Sequence, residues 1–224
     1  PSLRLWDISS ANLVDRFITN SHYSAKRIAR YYNREAEVVF GPASIEKYLD
    51  TERRPEDFYL FFGQAVAYKR LDIAIEACSK SGRKLIVAGA GLREKDKKKY
   101  PSSNLVHFTG RVSGDELKRL YSRAKALLFP GIEDLGLVPI EANAAGCPVI
   151  AYRKGGVLDT VKEKETGIFF DEQSPAALIE AMDRFETMEG HFENREPFTR
   201  QVQRFSKAAF IRRIEQILAE RKRV

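Results

Sequence analysis

The stretch FPGIEDLGLVPIEANAAGCPVIAY, residues 129–152, holds a glycine- and proline-rich turn, a short helical pattern and an apolar run in close succession. LVPIEANAAG has the small and apolar residues of a buried helix, and PVIAY has the composition of a buried strand. Two carboxylates, Glu133 and Glu141, stand eight positions apart in this apolar setting, with Asp134 beside the first. Because a buried carboxylate costs free energy unless something donates hydrogen bonds to it, the stretch predicts a turn and helix that carry a binding site.

The same alternation of apolar runs and helical patterns continues on both sides of this stretch. Apolar runs precede helical segments at 58–63, 84–89, 105–110, 126–131, 148–152 and 167–170. Strands that alternate with helices are typical of parallel βαβ units. The predicted fold class is therefore α/β, with a doubly wound, Rossmann-like parallel sheet. Four of the runs end in glycine, at the strand ends where such sheets bind ligands.

The helical segments carry distinct signals. A helix is predicted over residues 69–79, and Ser113 with Glu116 forms a capping box at the start of SGDELKRLYSRA. The charged run REKDKKKY, residues 93–100, has the mixed charges of a solvated surface helix. A long amphipathic helix is predicted over 206–222, with one face formed by Phe210, Ile214, Ile217 and Leu218.

Residues 14–40 are organised differently from the rest. VDRFITNS (14–21) is predicted as a strand, SAKRIARYY (24–32) as an amphipathic helix and AEVVF (36–40) as a second strand. Gly41-Pro42 then breaks the pattern. A single βαβ fragment is too small to form a domain of its own, so this piece is expected to depend on other structure.

Composition restricts the class of protein. Hydrophobic residues make up 43% of the 224 residues, which suits a globular core. No apolar run reaches the roughly 18 residues of a membrane span. Cys78 and Cys147 are isolated cysteines of the kind found in the cytoplasm. The net charge of +7 favours nucleic acid, anionic lipid or a phosphorylated substrate as partner, and the closing RKRV is a candidate peripheral contact with an acidic membrane.

The usual dinucleotide and nucleoside-triphosphate motifs are absent. The first strand–helix turn reads GQAVAYKR, without the second glycine of GxGxxG. Gly89-Ala90-Gly91 follows the second strand, but Glu94 stands where glycine or alanine is needed. There is no Walker loop either. These absences disfavour nicotinamide chemistry and favour another phosphate-bearing ligand.

Residues at the predicted strand ends suit such a ligand. Lys69 and Arg70 follow the first strand, and Gly136 to Val138 open the helix after the fourth, where free N–H groups bind phosphate. Glu141 lies in that helix with no other charge, and the vicinal hydroxyls of a sugar or ribose are suitable donors to it. The alternative is a first-turn glutamate that the helix dipole stabilises by about 0.3–1 kcal/mol.

Together these motifs resemble one family. The segments EDLGLVPIE, AAGCPVIA, GGVLDTV and TGIFF are similar to the C-terminal half of family 4 glycosyltransferases, the retaining GT-B enzymes. The likeness runs from VDRFITNS through YKRLDIAIEA to the closing RFSKAAF, nearly the whole chain. YKRLD and FPGIEDLGLVPIEA are similar to mannosyltransferases that use GDP-mannose.

The resemblance implies roles for the site residues. Glu133 would hold hydroxyls of the transferred sugar, Glu141 would hold the ribose hydroxyls, and Lys69 would neutralise the diphosphate as the glycosidic bond breaks. The implied reaction is a retaining transfer of a hexose to a glycan or lipid-linked acceptor without cofactor or metal, with Glu133 and Lys69 as the catalytic residues. The backbone from Leu135 to Leu137 would face the sugar and diphosphate. The other residues of the predicted donor site are Gly63, Gln64, Arg70, Gly89, Arg111, Val112, Asp134, Gly136 and Val138.

The chain departs from the family pattern in two ways. Gly63-Gln64 replaces the usual Gly-Arg, so one diphosphate cation is absent, and Arg70 is the candidate to replace it. Enzymes of this family have two Rossmann-like domains, whereas only the last βαβ unit of the first is expected here. The expected organisation is a remnant of the N-terminal acceptor domain with a linker (1–52), the donor-binding domain (53–195) and a helix that returns to the N-terminal piece (196–224).

Three partner arrangements and two rival functions follow from these departures. The expectation is that the chain is a fragment of a longer protein, the product of a split gene, or one half that pairs with a separate polypeptide. Alternatively, a second copy in a homo-oligomer would pack over the N-terminal piece. One rival function is a non-catalytic nucleotide-sugar-binding or assembly subunit that needs a partner chain. A nucleic-acid-binding domain is the second rival, which the basic charge suggests but no recognition module supports. The favoured interpretation is that the chain is the donor-binding half of a cytoplasmic transferase. The inner face of the membrane is the candidate site of this transferase within the cytoplasm.

Overall fold

The computed structural model describes residues 2–91 and 104–221 of the chain. The strands in these ranges are β1 (Phe17–Thr19), β2 (Ala36–Val38), β3 (Tyr59–Phe62), β4 (Leu85–Ala88), β5 (Val106–Gly110), β6 (Leu127–Phe129), β7 (Val149–Tyr152) and β8 (Gly167–Phe170). The helices are α1 (Ser2–Ala11), α2 (His22–Tyr32), α3 (Leu71–Ser81), α4 (Gly114–Arg123), α5 (Leu137–Ala144), α6 (Val157–Thr160), α7 (Pro175–Glu186), α8 (Glu196–Val202) and α9 (Lys207–Arg221). The surface helix predicted for residues 93–100 lies outside the described residues.

Two parallel sheets organise the described part of the chain. β1 pairs with β2, and the larger sheet has the strand order β5-β4-β3-β6-β7-β8, with every pairing parallel. The chain runs outward from β3 to β5 on one side and from β6 to β8 on the other. β3 and β6 therefore lie side by side at the point where the strand order reverses, which is where open α/β sheets bind ligands. The predicted α/β class with a parallel, Rossmann-like sheet is confirmed.

Each face of the larger sheet packs against its own layer of helices. Successive side chains of a strand point to opposite faces, so Leu60 joins the cluster that includes Ile140 of α5, whereas Tyr59 joins the cluster that includes Leu178 of α7. Tyr59, Leu60, Ile140 and Leu178 are all at most 1% exposed. Burying such a side chain stabilises the fold by about 1.5–3 kcal/mol, so the two apolar layers hold the strand ends in fixed positions.

Local sequence signals explain the start of α4, whereas the start of α3 differs from the prediction. Ser113 accepts a hydrogen bond from the Glu116 backbone at 3.2 Å, and Glu116 Oε2 accepts one from the Ser113 backbone at 2.7 Å, so the predicted capping box is present. The helix predicted from Lys69 begins instead at Leu71. Lys69 belongs to a 3₁₀ turn, and Arg70 adopts a left-handed conformation with φ of 51° that separates the turn from α3.

The N-terminal βαβ piece is formed as predicted and packs on the closing helix. Glu37 on β2 forms ion pairs with Arg16 and with Arg213 of α9. Ile217 is 4% exposed and Leu218 is 55% exposed, so the predicted apolar face of this helix is only partly covered within the described residues.

Two side-chain contacts tie α2 to the larger unit. His22 Nδ1 lies 2.7 Å from Asp159 Oδ1, and the His22 backbone N–H donates to Asp159 Oδ2 at 2.9 Å. Arg27 donates to Asp134 at 2.6 Å, in the loop that follows β6. In the described ranges no helix is long and apolar enough to cross a membrane.

Candidate functional site

A cleft of about 480 Å³ opens at the carboxyl ends of the central strands. It lies beside the start of α5, at the reversal point of the strand order. Its lining residues are Phe62, Gly63, Gln64, Tyr68, Lys69, Gly89, Ala90, Arg111, Val112 and Val138. Seven of these were predicted from the sequence, whereas Phe62, Tyr68 and Ala90 were not. Tyr68 stands next to the predicted residue Lys69 in the sequence, and this position was the signal that could have revealed it. In the structure, its side chain is 57% exposed.

Glycines let the backbone form the floor of the cleft. Gly89 has a φ of 135°, and a Cβ on it would lie 1.7 Å from the carbonyl oxygen of Gly63. A Cβ on Gly131 would lie 2.7 Å from Cα of Lys69. Only glycine fits where two backbones approach this closely. The close approach therefore fixes the turn that carries Lys69 against the end of β6.

Lys69, which lines the cleft, forms an ion pair with Glu133, which is not itself among the lining residues. Lys69 Nζ lies 2.9 Å from Glu133 Oε1, and the two side chains are 14% and 19% exposed. Lys69 comes from the turn after β3 and Glu133 from the loop after β6, and these strands are neighbours in the sheet. The structure thus brings together the two residues that the resemblance implied as catalytic. A partly desolvated cation beside a carboxylate is suited to a ligand that has both phosphate and hydroxyl groups.

The loop from Glu133 to Gly136 is held by its neighbours. The Gly156 backbone N–H donates to the Glu133 carbonyl oxygen at 2.8 Å, and a Cβ on Gly156 would lie 2.1 Å from the carbonyl oxygen of Asp134. Gly136 has a φ of 84° and precedes the first residue of α5. Leu135 is 6% exposed, which anchors the loop in the core. The backbone N–H groups at the start of α5, which have no partner within the helix, are therefore held in a fixed position. Leu137, the first residue of α5, is 48% exposed.

Two predicted donor residues have other partners in this structure. The carboxylate of Asp134 is bound by Arg27, as described above. Arg70 forms a two-point ion pair with Asp72 at 2.9–3.2 Å and is not among the lining residues of the cleft. Their roles toward a ligand stay predictions. Among the described residues that line the cleft, the cationic side chains are those of Lys69 and Arg111.

Glu141 lies on α5, one turn after the cleft residue Val138. Burial raises the pKa of its carboxyl, and the positive charge of Lys47 acts in the opposite direction. Burial followed by the charge of Glu141 raises the pKa of Tyr48 to about 12. The same two causes raise the pKa of Tyr121 well above its ordinary value. Glu141 is thus a half-buried carboxylate whose charge acts on two buried tyrosines, and its burial is costly unless a ligand donates to it.

An open parallel sheet with a glycine-floored, cationic cleft at its reversal point defines a Rossmann-like domain whose cleft is suited to an anionic ligand. Residues 45–205 match the family described as glycosyl transferases group 1. This match covers most of the chain, and the chain belongs to that family.

Individual relatives agree with this assignment. An uncharacterized glycosyltransferase of Methanocaldococcus jannaschii is 32% identical over 142 residues, which is 58% of this chain and 35% of the relative. A GDP-mannose-dependent alpha-(1-6)-phosphatidylinositol monomannoside mannosyltransferase of Mycobacterium tuberculosis is 38% identical over 85 residues, 34% of this chain and 22% of the relative. Among solved structures, a sucrose-phosphate synthase from Thermosynechococcus elongatus superposes with a TM-score of 0.82 at 20% identity, covering 97% of this chain and 61% of that one. The chain spans less than half the length of these curated relatives.

Proposed function

We propose that this chain binds a nucleotide sugar in the cleft and supplies the donor side of a retaining hexosyl transfer. The observation that carries the proposal is the Lys69–Glu133 ion pair at 2.9 Å, at the reversal point of the sheet and beside the start of α5. A sugar diphosphate needs a cation for its phosphates and an acceptor for its hydroxyls, and this pair offers both within one contact.

The proposed donor lies along the cleft. Its diphosphate contacts the Gly63 turn, Lys69 and the N–H groups at the start of α5, because a helix N-terminus favours an anion. The base lies near Arg111 and Val112. The ribose reaches Glu141, whose half-buried carboxylate accepts from its two hydroxyls.

The proposed transfer occurs on one face of the sugar. The acceptor hydroxyl attacks the anomeric carbon on the side of the leaving diphosphate. The new carbon–oxygen bond forms as the bond to the diphosphate oxygen breaks, and the diphosphate oxygen takes the acceptor's proton. Lys69 stabilises the charge that develops on the diphosphate. Glu133 holds hydroxyls of the sugar and so fixes the anomeric carbon toward the acceptor.

GDP-mannose is the proposed donor. The segments YKRLD and FPGIEDLGLVPIEA support it, and so does the mannosyltransferase among the relatives. The proposed acceptor is a glycan or a lipid-linked glycan. Cys78 and Cys147 are both buried and free, which supports the cytoplasm as the compartment, including the inner face of the membrane.

Titration calorimetry with GDP and GDP-mannose tests the donor proposal. Glu141→Ala should weaken both ligands by about 1–3 kcal/mol, because both lose hydrogen bonds to a charged group. Glu133→Ala should weaken GDP-mannose without weakening GDP. Glu180→Ala is the matched control, since Glu180 is an exposed carboxylate on α7 outside the cleft lining. Equal losses for both ligands in both cleft variants would overturn the assignment of roles, and tighter binding of a uridine than a guanosine diphosphate sugar would overturn the choice of donor.

The acceptor side is proposed to come from further structure that covers the N-terminal piece. An apolar groove lined by Leu13, Val14, Ile18, Ile217 and Leu218 lies between this piece and α9. Within the described residues, β1 pairs only with β2, which leaves strand edges for another strand to join. We propose residues 1–52 as part of the acceptor-side domain with its linker, 53–195 as the donor domain and 196–224 as the returning helix.

The cover is proposed to be the other half of a two-domain transferase, either in one chain or as a separate polypeptide. A second copy of this chain in a homo-oligomer is the alternative. A transferase assay separates this proposal from a non-catalytic nucleotide-sugar-binding subunit. The expected result is donor binding by the 224-residue chain and transfer only with the acceptor-side half present. Efficient transfer by the purified chain without a partner would refute this division of labour.

A further inference from the structure

Helix α2 contacts the loop that carries Glu133. Arg27 Nη1 donates to Asp134 Oδ1 at 2.6 Å, and Asp134 directly follows Glu133 in the chain. The two paired side chains are 52% and 53% exposed. An ion pair with this exposure contributes little by itself. Its effect on the loop therefore depends on how firmly α2 is held in place.

A second contact fixes the position of α2. The His22 backbone N–H donates to Asp159 Oδ2 at 2.9 Å, and His22 Nδ1 lies 2.7 Å from Asp159 Oδ1. The side chain of Asp159 is 12% exposed, so water competes little for its carboxylate. His22 and Arg27 are about 7–8 Å apart along the helix axis. Because two separated contacts restrain both the position and the direction of α2, Arg27 reaches Asp134 from a fixed backbone.

The two aspartates belong to segments that pack against each other. Asp159 lies on α6, which begins directly after Gly156. The Gly156 backbone N–H donates to the Glu133 carbonyl oxygen at 2.8 Å, and a Cβ on Gly155 would lie 2.8 Å from that same oxygen. α2 therefore contacts both sides of one backbone interface, and this interface sets the position from which the Glu133 side chain extends.

The Glu133 carboxylate depends on its backbone for its orientation. Its Oε1 atom is buried, and within the described residues no donor meets it in hydrogen-bond geometry, although Lys69 Nζ lies 2.9 Å away. Charge attraction without a directional hydrogen bond draws the two groups together but does not fix how the carboxylate is turned. The direction in which Glu133 can accept from sugar hydroxyls is therefore set by the loop.

We propose that Arg27 is a positioning residue for the donor sugar, whose ion pair with Asp134 holds the loop so that Glu133 meets the sugar hydroxyls. This inference rests on the proposed function, since it needs the sugar at Glu133. Arg27 does not touch the donor and acts through Asp134. Because α2 belongs to the N-terminal piece, the part of the chain proposed for the acceptor side also takes part in recognising the donor sugar. The diphosphate contacts do not depend on it.

Calorimetry with GDP and GDP-mannose on the full 224-residue chain tests the inference. Arg27→Ala should weaken GDP-mannose about two- to fivefold, the range of an exposed ion pair, and leave GDP affinity unchanged. Arg27→Lys keeps the charge and should stay closer to the wild type than Arg27→Ala. Arg30→Ala is the matched control, because Arg30 is an exposed arginine about one turn further along α2 whose guanidinium lies over the Tyr31 ring. It should leave both affinities unchanged.

A double-mutant cycle shows whether Arg27 acts through Asp134. Asp134→Ala should weaken GDP-mannose as much as Arg27→Ala does, and the double variant should lose no more than either single variant. A greater loss from Asp134→Ala, with losses that add in the double variant, would mean that Asp134 contacts the donor itself. That result overturns the positioning role of Arg27.

Glu133→Ala, measured alongside, separates a failure of this inference from a failure of the proposed function. If Glu133→Ala lowers the affinity for GDP-mannose relative to GDP but Arg27→Ala does not, the inference is wrong and the sugar assignment stands. Equal losses of GDP and GDP-mannose in Arg27→Ala also overturn the inference, because a general effect on the fold would produce them. If Glu133→Ala itself leaves the ratio of the two affinities unchanged, both the proposed function and the inference are overturned.

Discussion

Glu133→Gln should tighten the binding of GDP while weakening that of GDP-mannose. The substitution keeps the size of the side chain and removes its charge. In this structure Glu133 neutralises Lys69, the cation proposed for the diphosphate. Without that charge, Lys69 is released toward the diphosphate, and the repulsion between carboxylate and phosphate is lost as well. The sugar hydroxyls, in contrast, lose their charged acceptor.

The size of the effect follows from the burial of the pair. The distance is 2.9 Å, and the side chains are 14% and 19% exposed. Exposed ion pairs contribute about 0–1 kcal/mol, whereas breaking a fully buried pair costs about 3–5 kcal/mol. For this intermediate case we expect a gain for GDP of about 1 kcal/mol, which is about fivefold in the dissociation constant. GDP-mannose should lose about 1.5–3 kcal/mol of charged hydrogen bonding, which outweighs the gain.

Calorimetry with the two ligands on the same protein preparation measures both changes. Because the ratio of the two affinities is compared within each variant, a small loss of folded protein does not affect the conclusion. Glu180→Gln removes a carboxylate from the exposed face of α7 and should leave both affinities within twofold of the wild type. GDP affinity that is unchanged or weaker in Glu133→Gln would show that the ion pair does not restrain Lys69.

Three further outcomes are expected. Gln64→Arg should tighten GDP by about one to two orders of magnitude, because a charged hydrogen bond to phosphate contributes about 1.5–3 kcal/mol; weaker binding in calorimetry would mean that the turn at this position does not face the diphosphate. Gly89→Ala should lower the free energy of unfolding by about 3 kcal/mol or more in urea denaturation, since a Cβ there would lie 1.7 Å from a carbonyl oxygen at a φ of 135°; a wild-type midpoint would contradict this geometry. Burial raises the folded-state pKa of Glu141, so its protonated form stabilises the fold at low pH and that contribution is lost as pH rises through the raised pKa. Glu141→Gln should therefore be more stable than the wild type at pH 7 and equally stable at about pH 4, near the ordinary pKa of glutamate; urea curves that differ equally at both pH values would argue against desolvation of this carboxyl.

The strands and the class of fold were accessible from the sequence because buried parallel strands need continuous apolar runs. β7 spans Val149–Tyr152, within the predicted run at 148–152, and β8 spans Gly167–Phe170 as predicted. The start of α3 was less accessible. Its position depends on the left-handed conformation of Arg70, a residue type that gives no local signal for it. The cover of the apolar face of α9 was not accessible from the sequence either, since an amphipathic pattern identifies an apolar face but not what covers it.

By itself, the sequence determined the α/β class, the family resemblance and the identity of the two carboxylates, because periodicity and motif spacing are local properties of the chain. Only the tertiary structure decided that Lys69 and Glu133 form an ion pair and that Asp134 pairs with Arg27. These contacts depend on which strands become neighbours and on how closely their ends approach. Strand order is a long-range property, and the same apolar runs are compatible with several strand orders. The pairing of β3 with β6, with Gly131 against the backbone of Lys69, is what converts separate motifs into one site.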